Sequence, residues 1–191
     1  MQEHLFIVTE LLKQNLYEVS RVHQELGREP YFTLARIQSI MRQVLTAMEF
    51  VHSLRLIHSD LKPENILIKS FTKCEVKVID FGSSCYETDK LTSYVQSRSY
   101  RAPEVILGYH YSTKIDVWSV GCIAFELWTG RVLFVNDNVP SMLARIQGII
   151  GPFTTEFLSK CALASKFLSR DGIAFGEREG AENQGKLFLF M

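Results

Sequence analysis

The chain has 191 residues, of which 47% are hydrophobic and 22% charged, a balance typical of a globular domain with a sizeable core. Its 21 basic and 21 acidic residues cancel, so charge indicates neither a nucleic-acid nor a membrane partner. The first residues, MQEHLF, lack the basic segment leading into an apolar core that is typical of a signal peptide. No uncharged apolar run approaches the ~18 residues that a membrane span needs. The four cysteines form no CxxC pair, which favours reduced thiols in an intracellular protein of the cytoplasm, the nucleus or both.

Two apolar patterns near the start of the chain predict secondary structure. Residues 5–8 (LFIV) are an apolar run that predicts a buried strand, followed by a polar connector. From Thr33 onward, apolar residues recur every three or four positions and predict a helix of about six turns with Thr33 as its N-cap. The predicted buried stripe consists of Leu34, Ile37, Met41, Val44, Met48 and Val51.

The stretch IHSDLKPEN carries chemical groups that act together in phosphoryl transfer. Asp60, Lys62 and Asn65 supply a carboxylate, an ammonium and an amide within one short loop, and Asp80 adds a second carboxylate in VIDFG. Phosphoryl transfer needs a group that orients a hydroxyl, a cation that holds the phosphoryl and oxygen ligands for Mg²⁺. The combination therefore indicates this reaction class.

Two short β-branched runs, at 66–68 and 76–79, follow this loop and predict a hairpin. Asn65 precedes the first run and Asp80 follows the second. Pairing of the two runs would therefore bring both residues to one edge.

The remaining chain is less regular. Residues 81–103 are polar, rich in Ser and Tyr and without a period, which predicts a long functional loop. Residues 116–128 are apolar nearly all round and predict a helix buried on every side, and residues 141–150 predict another helix. The last forty residues show no clean period, and the final GKLFLFM is an apolar tail with no visible partner.

Taken together, the motifs resemble those of the eukaryotic protein kinases and, within the CMGC group, the dual-specificity tyrosine-regulated kinases, abbreviated DYRK. HxDLKPEN, VIDFGSSC, SRSYRAPEVILG and DVWSVGC occur in the family's order and spacing. The resemblance implies a protein-kinase-like fold that is mainly α with a few short β strands (α+β). It also implies that residues 1–180 hold the hinge and C-terminal lobe without the small lobe, and leaves residues 181–191 unassigned.

The resemblance assigns the catalytic roles residue by residue. Asp60 would orient the substrate hydroxyl and Lys62 would steady the γ-phosphate. Asn65 and Asp80 would hold Mg²⁺, so the implied cofactors are ATP and Mg²⁺.

The resemblance also implies an adenine site at the start of the chain. Glu10, Leu11 and Leu12 match the hinge, whose backbone binds adenine, and Thr9 matches the residue guarding the pocket behind it. Leu67 matches the apolar floor under the base.

Supporting roles fall on other residues. His58 and Asp116 would support the catalytic loop, and Glu104 would be a structural ion-pair partner, although its usual arginine is not found in this sequence. Ser59 stands where most kinases have an arginine, so regulation by a phosphate docked there is not expected.

The implied regulatory site is an activation-loop tyrosine that the family phosphorylates itself. Tyr94 holds that position, with Arg98 and Arg101 placed to pair with a phosphotyrosine, while Thr92 replaces the family's first tyrosine.

Two functions remain open at this point. The first is a serine/threonine kinase acting on Ser or Thr followed by Pro, with a basic residue upstream that pairs with Glu64. The glycine-rich loop and the strand lysine are not found in the sequence, so the chain alone is expected to be an incomplete, inactive fragment. The alternative is a non-catalytic binding or regulatory protein. The partners expected are proteins, not nucleic acid or membrane, and the oligomeric state is left open.

Overall fold

The computed structural model describes residues 6–89, 95–177 and 187–189. Helices and short strands alternate within these residues, and 3₁₀ turns lie at Pro63–Asn65 and Arg98–Tyr100. The elements are α1 (Leu16–Glu25), α2 (Leu34–Ser53), β1 (Leu56–Ile57), β2 (Ile66–Ser70), β3 (Glu75–Val78), β4 (Cys85–Tyr86), α3 (Pro103–Ile106), α4 (Lys114–Thr129), α5 (Val139–Ile150), α6 (Thr155–Ser159), α7 (Ala164–Phe167), β5 (Phe175–Glu177) and β6 (Leu187–Leu189). The predicted helix-rich fold with a few short strands is confirmed.

Helix α2 begins where the sequence predicts. The hydroxyl of Thr33 accepts a hydrogen bond from the backbone N–H of Arg36 at 3.4 Å, which confirms the N-cap. The buried face differs slightly from the prediction, because Leu34 in the first turn is exposed whereas Ile40 is fully buried. The remaining stripe residues pack into the main core, with Met41 only partly buried.

Helix α4 lies beside α2 and supplies much of the core. Ile123 is fully buried, as predicted, and so is Ile115 just before the predicted range, but Val117, Phe125 and Trp128 are exposed. The prediction of burial on every side is therefore wrong, because the described residues cover only part of this helix. An all-round apolar composition does not reveal which side of a helix is covered.

The predicted hairpin is present and antiparallel. Ile66 pairs with Val78 and Ile68 pairs with Val76. A second small sheet, not predicted, joins β1 to β4, so the segment after the VIDFG motif is tied to the start of the catalytic loop.

The predicted strand at residues 5–8 is wrong for its described part. Phe6 is 83% and Val8 96% exposed, and neither lies in a strand; Leu5 lies outside the described residues. Helix α1 was missed, although the Asn15 side chain and the Glu18 side chain cap its start reciprocally. The Asn-x-x-Glu spacing is the sequence signal for that cap.

The C-terminal part is built from short elements. Helix α5 starts at Val139, two residues before its predicted start, because the Asn138 side chain caps it. The tail was predicted to lack a partner, but strand β6 within it pairs antiparallel with β5. Among the described residues, no helix combines the length and apolar character needed to cross a membrane.

Candidate active site

A fully buried carboxylate on α4 accepts hydrogen bonds from the backbone of the catalytic loop. Asp116 accepts hydrogen bonds from the backbone N–H groups of His58 at 2.9 Å and Ser59 at 3.0 Å. The ring Nε2 of His52 lies 2.8 Å from the same carboxylate. Ser59 has φ of 66°, in the left-handed region, so these contacts hold a sharp bend of the loop in place.

His58 connects the loop to the hairpin. Its Nδ1 accepts the backbone N–H of Asp60 at 3.2 Å, and its Nε2 donates to the carbonyl of Ile79 at 3.0 Å. These partners fix the neutral tautomer with its proton on Nε2. The ring also contacts Phe81 edge-on, with centroids 4.9 Å apart. His58 therefore sets the position of Asp60 relative to the turn that carries Asp80.

Asp60 is surrounded by hydrogen-bond donors. Its Oδ2 accepts the ammonium of Lys62 at 2.7 Å, and its Oδ1 accepts the hydroxyl of Ser97 at 2.7 Å and the backbone N–H of Ser97 at 3.1 Å. Burial acts to raise the pKa of Asp60, but the hydrogen bonds from Lys62 and Ser97 outweigh it and leave the pKa below its usual value. The carboxylate is thus held ionised and oriented.

Ser97 was not recognised from the sequence as a site residue. Its hydroxyl bridges Asp60 and the Lys62 ammonium, which lies 3.2 Å away. Asp60 and Ser97 border an open cleft of about 540 Å³, whose wall also includes residues of the loop that follows Tyr94. The lining is Asp60, Ser83, Val95, Gln96, Ser97, Arg98 and Arg101.

Asn65 and Asp80 lie at the same end of the hairpin, as the pairing predicts. The backbone N–H of Ile79 donates to the carbonyl of Asn65 at 2.9 Å. The Asn65 amide donates to the Asp60 carbonyl at 2.9 Å, which leaves its side-chain oxygen for another ligand. Asp80 is exposed and accepts only the N–H of Gly82 among the described residues.

This donor set fits Mg²⁺, which is bound in proteins by one or two oxygen ligands, together with waters and phosphate oxygens. Within the described residues no group of three or more His, Cys, Asp or Glu could hold a metal. A protein site here would therefore consist of the Asn65 and Asp80 oxygens.

The predicted adenine site lies beside strand β2. The N–H of Lys13 donates to the Ile68 carbonyl at 2.8 Å, so the segment just after residues 10–12 runs along this strand. Leu12 and Leu67 are half-buried there, and Glu10 is exposed and ion-paired with Lys69 at 3.1 Å. Backbone groups of residues 10–12 make no hydrogen bond to other described residues, and adenine could therefore bind them.

The loop beyond the cleft contains an unusual backbone conformation. Gln96 has φ of 66°, and its carbonyl accepts Arg101 Nη2 at 2.8 Å. The Val95 carbonyl accepts Arg101 Nε, also at 2.8 Å. Arg98 is exposed at the cleft, while Tyr94 lies outside the described residues, so its predicted pairing with both arginines stays a prediction.

Glu104 borders an apolar groove of about 490 Å³ beside α4. No ion pair of Glu104 occurs in the part of the chain that the structure describes, and its predicted ion-pair role stays a prediction. Burial raises the pKa of its carboxyl above the ordinary value of 4.5.

We expect Glu104→Gln to stabilise the chain near neutral pH. Because the folded-state pKa is raised, the favourable contribution of Glu104 is present below pH 4.5 and is lost as pH rises through the folded-state value. Thermal unfolding of both proteins between pH 5 and 7.5 should show a gap of a few degrees that widens with pH. A constant gap would contradict this origin, and Glu156→Gln, at an exposed position, is the matched control.

Residues 1–170 match the family model described as protein kinase domain. The chain belongs to the protein kinase family. It is 44% identical over 171 residues to the DYRK-family kinase pom1 of Schizosaccharomyces pombe, and 41% identical over 172 residues to dual specificity tyrosine-phosphorylation-regulated kinase 3 of Homo sapiens. By their names, both of these relatives are kinases of the DYRK type.

These similarities cover different shares of the proteins compared. They span 90% of this chain in both cases, but only 15% of the yeast protein and 29% of the human one. A Drosophila melanogaster relative, dual specificity tyrosine-phosphorylation-regulated kinase 2, is 44% identical over 150 residues, which are 78% of this chain and 20% of that protein.

Proposed function

We propose that the protein acts as an ATP- and Mg²⁺-dependent serine/threonine kinase of DYRK type, of which residues 1–180 form the hinge and C-terminal lobe. The observation that carries the proposal is the Asp60 carboxylate, which already accepts a serine hydroxyl at 2.7 Å beside the Lys62 ammonium. A substrate hydroxyl needs the same acceptor and spacing. Transfer of ³²P from Mg²⁺-ATP to a Ser-Pro peptide, lost in Asp60→Asn, is the test.

The contacts of Asp60 suit a role in orienting the substrate hydroxyl better than a role in accepting its proton. A carboxylate whose pKa lies below its usual value is a weak base at pH 7, so its main contribution is to align the attacking oxygen. Lys62 places a positive charge where charge develops on the phosphoryl group. Asn65 and Asp80 would hold Mg²⁺, which neutralises phosphate charge when bound.

The loop at Gln96 supports a preference for proline after the acceptor residue. A carbonyl facing the cleft could accept the N–H of the residue that follows the acceptor. In the left-handed conformation of Gln96, its carbonyl instead accepts a hydrogen bond from Arg101. A substrate N–H at that position would be desolvated without a partner, at a cost of about 1 to 3 kcal/mol, and proline has no such N–H.

The Gln96 side chain holds that conformation. Its amide is buried, donates to the Ile115 carbonyl and the Ser119 hydroxyl at 2.8 Å each, and accepts the N–H of Ala102 at 2.9 Å. A residue with φ near 66° persists only when its surroundings determine it in this way.

We expect Arg101→Lys to reduce the proline preference by about fivefold or more, because a single ammonium cannot hold both carbonyls in the fork geometry of a guanidinium. The measurement is the ratio of kcat/KM for Ser-Pro and Ser-Ala peptides in an active preparation. Arg131→Lys, outside the cleft lining, is the control. An unchanged ratio in Arg101→Lys would show that the captured carbonyl does not set specificity.

A pair of carboxylates beside the catalytic loop supports a basic residue upstream of the acceptor. One oxygen of Glu64 is buried without a hydrogen-bond partner among the described residues. Burial and the charge of Glu64 raise the pKa of Glu126, against the hydrogen bond that it accepts from Tyr100. A positively charged substrate side chain near Glu64 and Glu126 would offset the repulsion between the two carboxylates.

Accordingly, Glu126→Gln should lower the preference for an arginine-containing peptide over its alanine counterpart by about tenfold, since a hydrogen bond to a charged group is lost. Glu49→Gln makes the same chemical change on the exposed side of α2 and should leave the ratio within twofold. Equal ratios for wild type and Glu126→Gln would remove the pair from substrate recognition.

One further part of the proposal rests on the name of a relative. Self-phosphorylation at Tyr94 is proposed because the name of the human relative includes tyrosine-phosphorylation-regulated. Tyr94 precedes Arg98 and Arg101, which could pair with the added charge. The proposed location is the cytoplasm or the nucleus.

A further inference from the structure

A small cleft lies away from the catalytic residues, at the end of helix α1. It has a volume of about 130 Å³, and none of Asp60, Lys62, Asn65 and Asp80 lines it. Its walls come from the second half of α1, the loop that follows and the C-terminal end of α4. Its lining includes His23, Gln24, Arg28, Tyr31, Trp128 and Gly130.

The cleft has the size of one side chain. A cavity of ~150 Å³ with apolar walls is known to accept benzene, so this volume suits one aliphatic or aromatic group. Tyr31 is buried in the wall, while Trp128 is 61% exposed at the rim. Pro30, Phe32 and Leu127 add apolar surface to a lining that is otherwise partly polar. An exposed tryptophan beside such a pocket is a common feature of protein-binding surfaces.

Gly130 keeps the cleft in its present shape. Its φ is 69°, and a Cβ at this position would lie 2.6 Å from the Nε2 of Gln24. Any larger residue there would therefore be strained and would push the Gln24 side chain away. Because Gln24 is exposed and can turn away, the cost of a larger residue comes chiefly from the positive φ of Gly130.

Arg28 supplies a positive charge to the lining of the cleft. His23 and Arg28 line it and no Asp or Glu does. Arg28 is exposed and makes no side-chain ion pair among the described residues, and Glu25 on the same helix is already bonded to Arg21 at 2.6 Å. The Nδ1 of His23 donates to the Glu29 carbonyl at 2.7 Å, which leaves Nε2 for a ligand.

We propose that this cleft binds a short acidic peptide segment of a partner protein. One apolar side chain of the segment fills the pocket against Trp128, and a neighbouring carboxylate pairs with Arg28. Charge complementarity selects this occupant, because an acidic group supplies the negative charge that the cleft lacks. The site is separate from the acceptor cleft at Asp60, so it would hold a partner without blocking that cleft.

The test is a binding titration with the full chain. The probe is a fluorescein-labelled peptide of seven residues with one leucine flanked by glutamates, and its binding is followed by fluorescence anisotropy. Arg28→Glu should weaken binding by about tenfold or more, since a charge-assisted bond is replaced by repulsion. Arg42→Glu, the same charge change at an exposed position on α2, should stay within twofold of wild type.

Two further variants test the pocket itself. Trp128→Ala and Gly130→Ala should each weaken binding at least about fivefold, and replacing the peptide's leucine with glycine should have a similar effect. Circular dichroism and thermal unfolding identify any variant that fails to fold. If one fails, the pocket is tested instead by comparing the leucine and glycine peptides on the wild-type protein.

Three outcomes would overturn the proposal. The first is an equal loss of affinity in Arg28→Glu and Arg42→Glu, which would indicate diffuse electrostatic attraction. The second is equal affinity for a peptide with lysines in place of the glutamates. The third is a single-stranded oligonucleotide that binds as tightly as the peptide with the same dependence on Arg28, which would indicate a nucleic-acid site.

Discussion

Replacing Asp60 with asparagine is expected to lower kcat by about 10²-fold or more in an active preparation, because misplacing a reacting atom by about 1 Å alone can cost that much. The asparagine keeps the size of the side chain but loses the charge that Lys62 and Ser97 contact at 2.7 Å. The nucleotide does not depend on Asp60 for its metal, so its affinity should change less than twofold. Steady-state kinetics and a nucleotide titration measure both quantities.

Asp80→Asn should behave differently, because its carboxylate is a proposed Mg²⁺ ligand. Both kcat and the affinity for Mg²⁺-ATP should fall, and raising the Mg²⁺ concentration should recover part of the loss. Asp137→Asn, at an exposed aspartate paired with Arg145, is the neutral control. Equal losses of nucleotide affinity in Asp60→Asn and Asp80→Asn would contradict their separate roles.

Local patterns account for the parts of the fold that sequence predicts well. The three-to-four spacing of α2 is repeated over many residues, and the β-branched runs of the hairpin are separated by a short turn. Hydrophobic periodicity reports which side of an element is buried, so both elements and the Thr33 cap could be predicted. The same signal cannot say whether another element covers that side, which is why residues 6–8 and the exposed side of α4 were mispredicted.

The contacts around the site depend on residues that are distant in sequence. Ser97 reaches Asp60 across 37 positions and Gln96 reaches Ser119 across 23, so no local spacing signals either contact. The left-handed conformations of Ser59, Asp80 and Gln96 were equally hidden, because none of them is glycine. Motif resemblance predicted the reacting groups and the supporting roles of His58 and Asp116, whereas the contacts of Ser97 and Gln96 required coordinates.

Replacing Asp116 with alanine should destabilise the 191-residue chain by about 3 to 5 kcal/mol, the usual cost of breaking a buried polar network. The carboxylate is fully buried and receives two backbone N–H groups and the His52 ring. Alanine would leave these donors buried without an acceptor. In a chain of this size the midpoint of thermal unfolding should fall by about 6 to 20 °C.

The ranking of three variants by their loss of unfolding free energy tests whether the buried hydrogen bonds of Asp116 are the cause. His52→Ala removes one contact to Asp116 and leaves both backbone bonds intact, so it should cost less than Asp116→Ala. Asp171→Ala, at an exposed position, should lie within about 0.5 kcal/mol of wild type. Urea unfolding of the soluble variants measures all three. If Asp116→Ala unfolds with the same midpoint as Asp171→Ala, the buried carboxylate is not what holds the bend at Ser59, and the catalytic loop must be positioned from the hairpin side through His58.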